Sequence, residues 1–116
     1  LIKFAGCSPD GLVGIDGLIE IKCLNEKNHN QVVKKDSIPK QYYNQIQFQL
    51  ACTQRNWCDF VLYHPDAKET LYIKRIYPNQ IVIDGITQKV ILFLDEVNQL
   101  HHEIRKSNDE EAYKYL

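Results

Sequence analysis

Two apolar runs separated by an Asp-Gly pair occupy residues 11–23, and this feature constrains the fold of the chain more than any other. The stretch reads Gly-Leu-Val-Gly-Ile-Asp-Gly-Leu-Ile-Glu-Ile-Lys-Cys. An Asp-Gly pair between apolar runs is typical of a tight β-hairpin turn. We therefore predict strands at about 11–15 and 18–23, joined by a turn at Asp16-Gly17.

The rest of the chain alternates between strand-like and helix-like periodicity. In order, the segments are a polar loop at 24–38 that can hold a short helical turn, a helix at 39–53, strands at 57–63 and 69–77, a helix at 83–106 and a charged tail at 107–116 that we expect to fray. The order β-β-α-β-β-α predicts a mixed α/β or α+β domain, in which helices pack on a small sheet.

Length and charge exclude other classes of protein. A chain of 116 residues suffices for one domain, 1–116, with a single core. Fourteen Lys and Arg residues against fifteen Asp and Glu residues leave a net charge of −1, which excludes a strongly cationic coat for nucleic acid but not a local basic patch. No apolar run approaches the roughly 18 residues of a membrane span, so no membrane partner is expected. Because the chain contains no Met, we expect it to be a piece of a longer protein.

The cysteines and histidines do not have the spacing of a metal site. No CxxC, HExxH or HxxxH pattern occurs, which argues against a zinc ribbon or knuckle. Four cysteines without a secretory signal favour a reducing, intracellular compartment, and each is expected to be a small buried side chain. They are Cys7, Cys23, Cys52 and Cys58.

Asp10, Glu20 and Lys22 are the residues most suited to catalysis. Side chains alternate along a strand, so Glu20 and Lys22 project from the same face. The predicted hairpin brings Asp10 back toward the far end of the second strand. Carboxylates suit Mg²⁺, which also binds waters and phosphate oxygens, and the backbone carbonyl of Ile21 is a further candidate ligand. With a lysine that orients water or neutralises charge, the set suits metal-dependent hydrolysis of phosphodiesters.

A surface ion pair is the alternative interpretation of Glu20 and Lys22. A Glu-x-Lys triplet on an exposed strand face is common and contributes about 0–1 kcal/mol. The flanking residues are apolar, however, and burying both charges among them is costly without a purpose. The residues alone leave both interpretations open.

Basic and aromatic residues lie between the Glu-x-Lys strand and the next helix. Lysines there can contact DNA phosphates, and a tyrosine can stack on a base. A solvated loop is the alternative for the lysines, and core packing is the alternative for the tyrosine. These residues are Lys34, Lys35, Lys40 and Tyr42.

Three blocks of the sequence, taken in order, resemble one nuclease family. They read Gly-Cys-Ser-Pro-Asp-Gly-Leu-Val at 6–13 with Gly-Leu-Ile-Glu-Ile-Lys-Cys at 17–23, Tyr-Tyr-Asn-Gln-Ile-Gln-Phe-Gln-Leu at 42–50, and Trp-Cys-Asp-Phe-Val-Leu-Tyr-His-Pro at 57–65. Pro-Asp followed by Glu-Ile-Lys is similar to the core motif of the PD-(D/E)xK nucleases, and the blocks together resemble the YqaJ viral recombinase family of phage lambda-type exonucleases. The resemblance implies a restriction-endonuclease-like core, with a small mixed sheet flanked by helices.

The same resemblance implies a role for each candidate residue. Asp10, Glu20 and the backbone carbonyl of Ile21 would bind one or two Mg²⁺ ions, for which Mn²⁺ can substitute. Lys22 would position the attacking water. Gln45 would contact water, metal or the scissile phosphate, whereas Gln47 is a weaker candidate for DNA contact because it points elsewhere on the helix.

The function that this resemblance implies is a metal-dependent DNA nuclease, foremost a phage-type 5′→3′ double-strand exonuclease acting in recombination. A structure-specific endonuclease on the same core, or a non-catalytic DNA-binding or assembly module, is the alternative. The expected partners are linear duplex ends, a single-strand annealing protein and further copies in a homo-oligomer, in the bacterial cytoplasm or a virus-infected host cell. The family normally has an N-terminal helical portion, which supplies another acidic residue and an arginine for a 5′-phosphate, and we expect this chain to lack that portion.

Overall fold

A β-hairpin, two helices, a second hairpin and a long helix follow one another along the chain. The computed structural model describes residues 5–113, and the side chains of residues 5–108. The strands are β1 (Gly11–Val13), β2 (Gly17–Lys22), β3 (Trp57–Tyr63) and β4 (Leu71–Ile76), and the helices are α1 (Glu26–Lys35), α2 (Lys40–Thr53) and α3 (Gln80–Tyr113). The mixed α/β class is confirmed, but the order β-β-α-α-β-β-α has one helix more than we predicted.

The strands form one mixed sheet in the order β1-β2-β3-β4. The β1–β2 and β3–β4 pairs are antiparallel, whereas β2 and β3 are parallel. Parallel neighbours need a long crossover connection, which α1 and α2 provide. The strand β2 carries the Glu-x-Lys motif; its residues 17–19 pair with both neighbouring strands, and its residues 20–22 pair with β3 alone.

The first hairpin turns at residues 14–16, slightly before the predicted Asp-Gly pair. Val13 pairs with Gly17 across the turn. Gly14 has a φ of 59°, in the left-handed region that glycine adopts without strain. Gly17 is needed for a different reason, because a Cβ atom there would overlap the indole ring of Trp57.

Helix α1 occupies most of the segment that we predicted to be a loop. Asn25 caps its N-terminus, because the Asn25 side chain accepts a hydrogen bond from the backbone N–H of Asn28 at 2.9 Å. Basic residues in the last turn complement the helix dipole. The loop prediction was wrong because only His29 and Val32 of this helix are buried, which is too narrow a stripe to produce a helical period in the sequence.

The core lies between one face of the sheet and the inner face of α2. Its fully buried side chains include Leu18, Phe60 and Leu62 of the sheet and Ile46 and Leu50 of α2. The opposite face of the sheet is more open, since Ile21 is 47% exposed and Ile73 is 56% exposed. Glu20 alternates with Ile21 and therefore points toward the core and α2.

The cysteines differ in their burial. Cys58 is buried, Cys7 and Cys52 are half-buried, and Cys23 is exposed. The prediction of a buried side chain was right for Cys58 and wrong for Cys23, because β2 ends at Lys22 and Cys23 lies beyond the sheet.

Helix α3 is longer than the sequence indicated. We predicted that it ends near residue 106 and that the tail frays, but residues 107–113 are helical, and residues 114–116 lie outside the described part. The helix packs against α2. Among residues 5–113, no helix combines the length and the apolar character that a membrane crossing requires.

Candidate active site

The first hairpin places Asp10 beside Glu20. Gly11 pairs with Ile19, so the residue before β1 lies next to the residue that follows Ile19 in β2. The Asp10 carboxylate accepts a hydrogen bond of 2.7 Å from the backbone N–H of Ile21. Asp10 is itself exposed, so its carboxylate is fixed to β2 while it remains accessible to solvent.

Glu20 is a buried carboxylate that contacts three donors. Its exposed fraction is 3%. Lys22 Nζ lies 3.2 Å from Oε1, Gln45 donates to the same oxygen across 3.4 Å, and Gln49 donates to Oε2 across 3.3 Å. A buried charge needs pairing and hydrogen bonds, and this carboxylate has one cation and two amides. The alternative of an exposed surface ion pair is therefore excluded.

Lys22 lies at the boundary between this site and solvent. Its side chain is 27% exposed, and Nζ is 5.3 Å from the centre of the Tyr42 ring, within cation–π range. Tyr42 in turn stacks on Phe60, with 5.9 Å between the ring centres. The ammonium is thus held by a carboxylate and an aromatic face while part of the side chain stays accessible.

Helix α2 presents Gln45 and Gln49 to the site and Gln47 away from it. Residues four apart share a helix face, whereas residues two apart do not. Gln47 is fully buried; it donates to the Tyr77 carbonyl at 2.9 Å and accepts from the Asn79 N–H at 2.8 Å. It fastens the segment between β4 and α3 to α2, so the expected DNA contact at Gln47 is corrected to a structural contact.

The sequence interpretation missed Gln49. Its spacing of four residues from Gln45 was the available signal, because that spacing places both amides on one helix face. Glutamines on a helix are usually solvated, so Gln49 was expected to face water. Gln49 is instead 2% exposed.

The candidate DNA-contacting residues divide between two sides of α1. Lys35, Lys40 and Tyr42 line a groove of about 480 Å³ between α1 and the start of α2, which we call the α1–α2 groove. Because Tyr42 also contacts Lys22, this groove reaches the site. Lys34 lines a separate cavity of about 360 Å³, so it is not part of the groove.

The negative charge of the site extends into β3. Burial, and then the charges of Glu20, Asp59 and Asp10, raise the pKa of the Cys58 thiol to about 12. Both site carboxylates therefore lie near enough to β3 to disfavour a thiolate at Cys58.

The oxygen atoms at the site suit a hard divalent cation that keeps much of its water. Mg²⁺ is usually held by one or two carboxylates together with waters and substrate phosphates, and Asp10, Glu20 and the Ile21 carbonyl present oxygen atoms of that kind. Among residues 5–113, no cluster of three or more His, Cys, Asp or Glu side chains could hold a metal. A closed, all-protein cage of the kind that structural zinc requires is not seen among these residues.

Comparison with known proteins finds a family that part of this chain resembles. Residues 2–56 match the family model of the YqaJ-like viral recombinase domain. A search of curated proteins found no significant match.

Two crystal structures are similar to most of this chain. One is of an alkaline exonuclease from Laribacter hongkongensis, and the other is of that exonuclease in complex with dAMP. For each, the sequence identity is 37% and the TM-score is 0.84, and the match covers 89% of this chain and 54% of the exonuclease chain. The chain thus spans about half the length of the exonuclease, and the nuclease fold expected from the sequence is confirmed.

Proposed function

We propose that this chain, which matches the YqaJ-like viral recombinase domain over residues 2–56, is the core of a metal-dependent DNA nuclease, a phage-type 5′→3′ exonuclease that degrades duplex DNA from its ends. One observation carries the proposal. The Glu20 carboxylate is buried, yet it is held beside a second carboxylate, Asp10, and by a partly exposed ammonium, Lys22. The similarity to an alkaline exonuclease supports DNA as the substrate.

Asp10, Glu20 and the backbone carbonyl of Ile21 would hold the metal. Oδ2 of Asp10 is bonded to the Ile21 N–H, which leaves Oδ1 available to a cation. Glu20 Oε1 contacts the two more accessible donors, whereas Oε2 contacts a buried one. A bound Mg²⁺ supplies Lewis acidity toward a phosphoryl oxygen and lowers the pKa of water.

Lys22 would orient the attacking water and neutralise charge that develops on the phosphoryl group. It lies between Glu20 and the α1–α2 groove, so its ammonium can reach both the carboxylate and a phosphate in that groove. The water attacks phosphorus in line with the P–O3′ bond, whose electron pair leaves on the 3′ oxygen. No covalent intermediate with the protein is needed.

Gln45 would act from helix α2, on the same oxygen of Glu20 that Lys22 contacts. Gln45 is exposed, and its side-chain amide donates to Glu20 Oε1 across 3.4 Å. A hydrogen bond of this length is weak and is easily exchanged for a shorter one to a phosphate oxygen. The Gln45 amide is thereby available to the scissile phosphate or to water.

The α1–α2 groove would receive the DNA strand. Lys35 and Lys40 line it, and lysine–phosphate contacts provide affinity without sequence preference. A net charge of −1 does not oppose this role, because only a local basic patch is required. The expected annealing-protein partner and homo-oligomer stay predictions.

The test is degradation of linear duplex DNA by the intact protein in the presence of Mg²⁺, with removal of the metal by a chelator as the first control. We expect Glu20→Gln and Lys22→Ala each to lower the rate by about 100-fold or more. Lys68→Ala, which removes a positive charge outside the α1–α2 groove, is the matched control and should leave the rate unchanged.

Three outcomes would contradict parts of the proposal. Wild-type rates in Glu20→Gln and Lys22→Ala would show that the site is elsewhere. Cleavage of closed circular DNA would indicate an endonuclease on the same core. An intact protein that binds neither Mg²⁺ nor Mn²⁺ in calorimetry, and degrades no DNA, would indicate a non-catalytic module.

A further inference from the structure

Gln49 contacts Glu20 from the buried side of the carboxylate. It is 2% exposed, and its Nε2 donates to Glu20 Oε2 across 3.3 Å. The other oxygen, Oε1, contacts the Lys22 ammonium and the Gln45 amide. The two oxygens of one carboxylate therefore have different surroundings, one inside the protein and one beside partly exposed groups.

We propose that Gln49 is a positioning residue, which holds Glu20 Oε2 so that Oε1 stays directed to the metal and to Lys22; this inference rests on the proposed function. The last torsion of a glutamate side chain is broad and has no strong intrinsic preference. A donor fixed on one oxygen sets that torsion, and Gln49 sits on a helix that is packed against the sheet. Partners that orient a metal ligand in this way control metal affinity and rate.

The hydrogen bonding of Gln49 favours this role over simple packing. Its own Oε1 is buried and has no hydrogen-bond partner among the described residues. An unpaired buried acceptor is unfavourable, and an apolar side chain of similar size would avoid it. What the amide provides, and an apolar side chain does not, is the N–H donor to Glu20.

Gln47 offers a matched control in the same helix. It is also a fully buried glutamine, but both of its hydrogen bonds go to the segment between β4 and α3. Gln49→Met and Gln47→Met each remove a buried amide and keep a side chain of similar length. Gln47→Met breaks two hydrogen bonds and is expected to destabilise the fold at least as much as Gln49→Met does. A defect in metal binding that appears in Gln49→Met alone is therefore not a consequence of lower stability.

The experiment is a calorimetric titration of the intact protein with Mn²⁺ alone, followed by steady-state cleavage of linear duplex DNA. For Gln49→Met we expect the Mn²⁺ dissociation constant to rise by about 10–100-fold, and kcat to fall while KM for DNA is unchanged. For Gln47→Met we expect both quantities to stay at the wild-type values. A second readout is the side-chain amide NMR resonance of Gln49, which should shift in Glu20→Gln while that of Gln47 does not.

The outcomes separate this inference from the proposed function. The positioning role alone is overturned if the wild-type protein binds Mn²⁺ and cleaves DNA, and Gln49→Met has the same Mn²⁺ dissociation constant and the same kcat as Gln47→Met. A Gln49 resonance that does not respond to Glu20→Gln overturns it as well. A wild-type protein that neither binds Mn²⁺ nor cleaves DNA overturns the proposed function and this inference together.

Discussion

The carboxylate of Asp10 is joined to the backbone N–H of Ile21 by a hydrogen bond of 2.7 Å, across the first hairpin. This bond connects the residue before β1 to the middle of the Glu-x-Lys motif. Ile21 is the residue between Glu20 and Lys22, so the bond fixes a second carboxylate to the centre of the motif. The candidate site is therefore built by backbone pairing, and its geometry depends on the register of β1 with β2.

Asp10→Asn should separate the charge of this residue from its structural contact. The amide oxygen of Asn can still accept from the Ile21 N–H, so we expect the free energy of unfolding to change by about 1 kcal/mol or less. The lost negative charge should weaken metal binding and reduce DNA cleavage by about 100-fold. Urea denaturation and the rate of duplex degradation measure the two effects. An active Asp10→Asn variant would remove Asp10 from the proposed set of ligands.

Strand β3 and helix α2 were predictable from the sequence, and helix α1 was not. Residues 57–63 are aromatic and β-branched with one buried face, and β3 has the predicted bounds, Trp57–Tyr63. Helix α1 was missed because its capping residue, Asn25, gives a weaker signal than an apolar period, and α1 buries only His29 and Val32. A short helix that fills a crossover is determined by the tertiary structure around it.

The charged residues of the candidate site were predictable from the sequence, but the buried glutamines that contact or surround them were not. The alternation of a strand places Glu20 and Lys22 on one face, and the structure has that arrangement. Glutamine spacing places Gln49 on the helix face of Gln45 and Gln47 on another face, but it does not say which face of α2 meets the sheet. Lys34 and Lys35 are adjacent in sequence, yet they line different cavities, because neighbouring residues of a helix point in directions about 100° apart.

Lys40→Ala should weaken DNA binding without changing its sequence preference. Lys40 lines the α1–α2 groove, and a lysine that contacts a phosphate releases counterions when DNA binds. We expect the slope of log K against log salt to fall in magnitude by about 1. Fluorescence anisotropy of labelled duplex DNA, measured without divalent metal, provides the slope. Lys68→Ala is the control, because Lys68 lies on the other cavity; equal slopes for both variants would place the DNA elsewhere.

Gly17 and Gly85 should respond to alanine in opposite directions. A Cβ atom at Gly17 would overlap the Trp57 ring, whereas one at Gly85 has no neighbour within 4 Å. We expect Gly17→Ala to destabilise the fold by about 1–3 kcal/mol through overpacking. Gly85→Ala, in helix α3, should stabilise it by about 0.5–1 kcal/mol through helix propensity. Urea denaturation gives both values, and a stabilising Gly17→Ala would mean that Trp57 does not lie over the hairpin.

The C-terminal end of α1 is tied to β4 through Asp36. The Asp36 carboxylate accepts from the Tyr72 hydroxyl at 2.7 Å, and the Lys74 ammonium lies 3.5 Å from the same oxygen. The hydrogen bond from Tyr72, and then the charge of Lys74, hold the pKa of Asp36 below its ordinary value of 3.8. Burial, and then the hydrogen bond to Asp36, raise the pKa of Tyr72.

These shifts predict how the stability of the fold depends on pH. A carboxylate whose pKa is lower in the folded state stabilises that state above its unfolded pKa, and the contribution is lost as pH falls through the folded pKa. We therefore expect the difference in unfolding free energy between wild type and Asp36→Asn to be constant between about pH 5 and pH 7 and to shrink below pH 3.8. Urea denaturation at a series of pH values measures it. The same comparison in a Tyr72→Phe background should show a smaller change with pH, because the first donor to the carboxylate is gone; an equal change in both backgrounds would contradict the role of Tyr72.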